Sequence, residues 1–168
     1  MKVTSTALAI VALSSTCALA QSPRMLGSSE SWSAWRTRDN NVSACYVFSD
    51  AASKRPDHLD HGRVTLFVRS LKRGKVRTEA SLQTGYELAP VAVHVEVDGK
   101  VFNMIPRGKY AWLRRTEREA EFVRALKKGR TAIIEAQSRR GNKTTYHFAL
   151  KGFTAMLRKA EQGCGRRG

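Results

Sequence analysis

The stretch "VAVHVEVDGKVFNMI", residues 91–105, constrains this chain more than any other. Val91, Val93, Val95 and Val97 recur at every second position, the side-chain period of a strand with one buried face. Asp98-Gly99 follows at once, and apolar alternation broken by Asp-Gly is the strongest local signal for an antiparallel hairpin. A chain committed to such a pair folds as sheet, and the same alternation recurs elsewhere. "RVTLFVRS" (Arg63–Ser70) sets Val64, Leu66 and Val68 against a mixed outer face of Thr65, Phe67 and Arg69. "TAIIEAQS" and "KTTYHFAL" flank a turn at "RRGN" and predict a second hairpin. With "SWSAW", "SACYVFS" and "TEASLQTGY", about eight strands are expected.

Two short helices interrupt them. Thr116 and Glu119 have capping-box spacing, with Phe122, Val123 and Leu126 as the apolar stripe and Gly129 as the residue past the end. After Gly152 the period switches, and Phe153, Met156, Leu157 and Ala160 line one face of a C-terminal helix. Tight turns between neighbouring strands imply antiparallel pairing. The expected class is mainly β, an antiparallel β-sandwich whose helices cover an open end or edge.

The N-terminus has the layout of a secretory signal peptide: Lys2, the apolar run "ALAIVAL", and Ala18-Leu19-Ala20 before Gln21. The run is too short for the roughly 20 residues of a spanning helix. Cleavage near Ala20 by a Sec-type route predicts a periplasmic or secreted protein. The expected organisation is signal peptide 1–20, flexible leader 21–30 (rich in Ser, with Pro23 and Gly27), one domain over 31–164 and a basic tail 165–168. Loss of Cys17 leaves Cys45 and Cys164, which in an exported chain most simply form one disulfide. A Cys nucleophile or a metal site is the alternative, but neither cysteine has a CxxC partner or a flanking histidine.

Thirty Lys and Arg against 14 Asp and Glu give a net charge of +16. Such a field attracts polyanions: nucleic acid, anionic lipid, lipopolysaccharide or acidic glycans. The cations concentrate in turns and helix flanks. Arg107, Lys109, Arg114, Arg115, Arg139, Arg140 and Lys143 are the candidates for polyanion binding, with Tyr110 and Trp112 between two of the clusters. Aromatics among cations can stack on single-stranded nucleic acid. For an exported chain the preferred reading is wet, charged turns with Trp112 anchoring a loop, and an anionic envelope or host surface as the reachable partner. Asp57, His58, Asp60 and His61 form a possible metal grip, but Pro56 and Gly62 argue for a solvated loop, and no metal or cofactor is expected. His94 and His147 sit within strand patterns. No phosphate loop, nucleophile elbow or paired carboxylates in an apolar setting appear, so no enzymatic activity is expected.

A series of segments carries a resemblance: "SWSAWRTR" with "ACYVFS", "EASLQTGY", "VEVDGKVFNMIPRGKYAWL", "FVRALKKG" and "SRRGNKTTYHFALKGFTAMLRKAEQGC". In order and spacing, from Trp32 to Cys164, they resemble the bacterial invasion-associated locus B (IalB) family. The resemblance implies an immunoglobulin-like β-sandwich, a periplasmic or secreted location, and a role in envelope integrity or, in some members, entry into host cells and virulence. It brings no catalytic residues, and its cysteines match Cys45 and Cys164. The expected function is therefore a non-enzymatic envelope or secreted protein acting by surface contact. The alternative is a polyanion-binding module working through its basic loops.

Overall fold

The computed structural model describes residues 21–39, 42–71 and 78–165. Among them are eleven strands: β1 (Gln21–Ser29), β2 (Trp32–Asp39), β3 (Val42–Asp50), β4 (Ser53–Arg55), β5 (Thr65–Ser70), β6 (Thr78–Gln83), β7 (Val93–Val97), β8 (Lys100–Arg107), β9 (Tyr110–Leu113), β10 (Thr131–Gln137) and β11 (Lys143–Ala149). Two helices, α1 (Glu119–Lys128) and α2 (Phe153–Gly165), complete the described chain, with a 3₁₀ turn at Thr116–Arg118 leading into α1. The expected signal peptide and the last three residues of the basic tail lie outside the described residues. None of the described helices is long and apolar enough to cross a membrane.

The Asp-Gly hairpin forms as its sequence requires. β7 and β8 pair from Val93↔Met104 to Val97↔Lys100, and Asp98 and Gly99 take the two positive φ angles of the turn, 46° and 81°. Val93, Val95 and Val97 are buried while His94 and Glu96 face out. Val91 does not share that buried face. It precedes the strand and is 46% exposed.

All eleven strands join one antiparallel sheet in the order β1-β2-β3-β5-β6-β9-β8-β7-β10-β11-β4. The sheet doubles back on itself because the chain leaves β3 at Asp50 and starts β4 at the opposite edge three residues later. Ala51 N–H donates to Val64 O on the first half and Ala52 N–H to His147 O on the second. The result is a β-sandwich-like fold with one apolar core. Its fully buried side chains include Trp32, Phe102, Phe122, Phe148, Phe153 and Tyr146; burying one such side chain stabilises by roughly 1.5–3 kcal/mol.

The helices close the sandwich, as the expectation of two covering helices requires. In α2, Phe153 packs edge-on against Trp32 at 4.8 Å between ring centroids, and the Trp32 indole N–H donates to Ala149 O at 2.8 Å. At its far end Cys164 is disulfide-bonded to Cys45 of β3, Cα to Cα 5.8 Å. Gly152, between β11 and α2, has φ +93° and lies so close to Ser29 that a Cβ there would fall 2.3 Å from its carbonyl oxygen. Only glycine satisfies both demands.

Three strands were not anticipated. The expected leader 21–30 is β1, so the sheet begins ten residues before the predicted domain start at 31. It pairs with β2 despite two register irregularities, and Leu26 packs against the core cluster. Pairing partners and one apolar anchor override a Ser-, Pro- and Gly-containing composition. β4 lies within the expected polar loop. "YAWL" is β9, so Trp112 belongs to a strand and does not anchor a loop.

The capping box at α1 does not form either. Thr116 caps nothing, and the Glu119 carboxylate reaches across to β6, where Oε1 accepts from Ala80 N–H at 3.0 Å. β9 pairs with β6 only from Ser81 to Gln83, so Glu119 takes the ladder position that β9 leaves empty. Gly129 follows α1 as expected, but in extended rather than left-handed conformation. It is required there for space, since Val97 Cγ1 would lie 2.6 Å from an added Cβ.

Candidate functional site

The outward face of the first half of the sheet carries an aromatic row. Inward positions on β3 and β5 are Cys45, Val47, Leu66 and Val68, all buried. Alternation therefore points Tyr46, Phe48 and Phe67 outward. Cross-strand register then aligns Phe48↔Phe67, Phe67↔Ser81, Ser81↔Trp112 and Trp112↔Ile105, one position on each of five successive strands. The adjacent row runs Met25↔Trp35↔Tyr46. Ring centroids are 5.4 Å apart for Phe48–Phe67, 6.2 Å for Trp35–Phe48 and 5.8 Å for Tyr110–Trp112. Directly opposed aromatic pairs each contribute roughly 0.2–1 kcal/mol to sheet pairing, and the rings shield one another to half-burial. Met25, Ile105 and Tyr110 at the margins are 46%, 50% and 42% exposed. Aromatic and aliphatic side chains thus line a partly exposed stretch of the outer face.

Cations border it. The Arg63 guanidinium lies 5.3 Å from the Phe48 ring centroid and pairs with Asp50 at 3.0 Å. Burial tends to raise the Asp50 carboxyl pKa, but hydrogen bonds from Arg63 and Thr65 outweigh it and hold the carboxyl below its ordinary value. Arg69 and Arg107 are exposed on the same outward face.

A second feature is a cleft of about 710 Å³ at one end of the sandwich. The β8–β9 turn brings Lys109 to its rim, and the β10–β11 turn brings Arg139 and Arg140. At its base a chain of hydrogen bonds runs through the core. His61 Nε2 lies 2.9 Å from Pro56 O, His61 Nδ1 3.0 Å from the Tyr146 hydroxyl, and that hydroxyl 2.7 Å from the Tyr86 hydroxyl. Tyr86 in turn is 2.7 Å from Thr144 Oγ1. A backbone carbonyl only accepts, so Nε2 carries a proton toward Pro56. In the neutral ring Nδ1 then accepts from Tyr146. Thr144 Oγ1 gives its one hydrogen to Ala136 O at 3.1 Å, so the single Tyr86 proton serves either Thr144 Oγ1 or the Tyr146 hydroxyl. Burial foremost raises the Tyr146 pKa, outweighing the opposing effect of Thr144, and the neighbouring Tyr86 hydroxyl adds to the rise, so the phenol stays neutral.

The seven basic candidates do not form one patch. Lys109, Arg139 and Arg140 share the cleft, Arg114 and Arg115 line a smaller recess with Arg118, Lys143 borders a third, and Arg107 is exposed at the end of β8. The expected solvated loop 57–61 splits in character: His58 is exposed, but His61 is buried with both ring nitrogens engaged. Among the described residues no three His, Cys, Asp or Glu side chains are grouped to hold a metal. His94 is exposed with Nδ1 2.7 Å from Asn103 Oδ1, and His147 lies half-buried on β11, with β10 between their strands. Sequence reasoning missed the aromatic row. Its signal was the outward parity of Tyr46, Phe48 and Phe67 against buried neighbours.

No family model matches the sequence, and no curated protein matches it. Among solved structures, the chain is similar to the crystal structure of invasion associated protein B from Bartonella henselae. The two are 15% identical with a TM-score of 0.59 over 81% of this chain and 95% of that one. The likeness is one of fold, and it fits a mainly β protein with the Cys45–Cys164 bond and a C-terminal helix.

Proposed function

We propose that this chain is an exported, non-enzymatic envelope or secreted protein of the IalB type that works by holding an anionic membrane surface on its outer aromatic face. The observation that carries this is the outward row Phe48–Phe67–Ser81–Trp112–Ile105, extended by Trp35, Tyr46 and Met25. Apart from the Ser81 hydroxyl and the Trp112 indole N–H, the five-strand row is apolar, with few groups to read a polymer's hydroxyls or phosphates. Aromatic and aliphatic side chains bordered by arginines suit the headgroup level of a bilayer, where tryptophan and tyrosine concentrate. The net charge of +16 supplies long-range attraction, and a basic residue near an anionic leaflet contributes about 1 kcal/mol. Attachment to the cell's own envelope serves integrity, and attachment to another cell's membrane serves association with a host. The fold shared with an invasion associated protein supports either setting.

Co-sedimentation with phosphatidylglycerol-containing and pure phosphatidylcholine vesicles tests the proposal. The native chain should pellet with the anionic vesicles, and a Trp35→Ser/Phe67→Ser variant should remain in the supernatant while keeping its fold. Undiminished binding by that variant would remove the aromatic face from the mechanism. The gathering of Lys109, Arg139 and Arg140 favours the polyanion-binding alternative. In that case heparin should compete fully, and binding should fall steeply with salt whatever the state of the aromatic face.

A further inference from the structure

The cleft at the other set of loops has a chemistry of its own. Its cations are held on a stitched frame: Thr84 N–H donates to Lys109 O at 2.8 Å, Leu88 N–H to Gly108 O at 2.9 Å, and Arg139 N–H to Glu87 O at 2.8 Å. The segment Thr84–Leu88 is thus tied to the turns carrying Lys109 and Arg139, one on each side. The opposite wall is pressed against it, because a Cβ on Gly85 would lie 2.4 Å from His61 O. The Tyr86 ring borders the space, and its hydroxyl is fixed by Tyr146 and Thr144.

Five charges line the cleft: Lys109, Arg139 and Arg140 against Asp60 and Glu87. Among the described residues none of the five is in an ion pair with another side chain. Three cations against two carboxylates leave one positive charge uncompensated. Two carboxylates repel a polyphosphate but accept hydrogen bonds from sugar hydroxyls, Asn142 adds an amide, and the Tyr86 ring offers an apolar face. The volume falls within the range of small-molecule sites, about 300–1,000 Å³.

We infer that this cleft binds a saccharide unit carrying a single anionic group, either a carboxylate or a phosphate ester. The anion is taken by Arg139, Arg140 and Lys109, the hydroxyls by Asp60 and Glu87, and one sugar face lies toward Tyr86. None of these residues belongs to the aromatic face, so failure here and failure of the membrane proposal are separable.

The test is an amide-shift titration of the full chain with glucuronic acid, N-acetylneuraminic acid and glucose 1-phosphate, with glucose and inorganic phosphate as controls. An acidic sugar should move the amides of Tyr86, Lys109 and residues 138–142. Arg139→Gln/Arg140→Gln, both in an exposed turn, should weaken binding at least about tenfold, the expected loss for charge-assisted hydrogen bonds. Saturation by a uronic or sialic acid assigns the carboxylate, and saturation by the sugar phosphate assigns the ester. The inference is overturned if inorganic phosphate or glucose binds as well as every acidic sugar, if no acidic sugar shifts these amides, or if the double variant binds unchanged.

Discussion

The hydroxyls of Tyr86 and Tyr146 lie 2.7 Å apart, joining a half-exposed ring in the cleft to a fully buried ring in the core. Their bond continues to His61 on one side and Thr144 on the other, so four side chains are linked in one hydrogen-bonded chain. Tyr146→Phe removes the hydroxyl that both Tyr86 and His61 Nδ1 contact. A cost on the order of 1–3 kcal/mol is expected. The Tyr86→Phe/Tyr146→Phe double variant should cost less than the sum of the single ones, because each single change already breaks the shared bond. Urea unfolding midpoints at constant m-value measure both; strict additivity would show the bond contributes nothing.

Glu119 gives a pH signature. Burial foremost pushes its pKa from 4.5 to about 7; the hydrogen bond from Ala80 N–H opposes this, the nearby Glu79 adds to it and Thr78 opposes it, while Oε2 has no hydrogen bond of good geometry among the described residues. A raised acid in the folded state keeps its proton where the unfolded chain has lost it. Its contribution is therefore full below pH 4.5 and is lost as pH rises toward 7. The total loss is at most about 3 kcal/mol, lessened by residual solvent screening. Glu119→Gln keeps an oxygen for Ala80 and removes the titration. Its stability relative to the native protein should rise between pH 4.5 and 7 and level off above; a pH-independent difference between the two would contradict the assignment.

The Cys45–Cys164 bond spans 119 residues. In the chain-entropy treatment, closing so long a loop stabilises by about 4–5 kcal/mol. Cys164→Ser should lower stability by an amount of that order and speed amide exchange first in α2, whose far end the bond holds. Equal protection of α2 in both forms would mean that Phe153 and Leu157 hold the helix unaided.

Gly152→Ala tests how β1 and α2 are locked together. A Cβ there meets the Ser29 carbonyl at 2.3 Å and demands φ +93° of an L-residue. Backbone strain of this kind costs about 1–3 kcal/mol, and the clash adds to it. Calorimetry should show a lowered Tm with protease cleavage appearing in β1. A variant as stable as the native chain would mean that the Ser29 turn moves freely.

Sequence alone made the β7–β8 hairpin, the apolar face of α2 and the Cys45–Cys164 pairing legible, because each is written in local period or simple counting. β9 was hidden because "YAWL" is short and follows a Pro- and Gly-containing turn. β1 was hidden because its pairing depends on β2 and Leu26 rather than on its own propensity. The aromatic row required the order β3-β5-β6-β9-β8, which no local pattern contains. Period two places Phe48 and Phe67 each on one face of its strand; only the register sets them side by side and brings Trp112 into line. Glu119 shows the same limit, since its spacing fits a cap but its partner is a strand 39 residues earlier.

Contact between the aromatic face and lipid is measured most directly by quenching of tryptophan fluorescence with brominated phosphatidylglycerol vesicles, since bromine quenches only indoles it reaches. Trp35 and Trp112 lie on the outer face and Trp32 is buried in the core. The expected result is quenching that disappears in Trp35→Phe/Trp112→Phe, where only Trp32 remains. Vesicle binding without quenching of Trp35 or Trp112 would contradict the proposed surface.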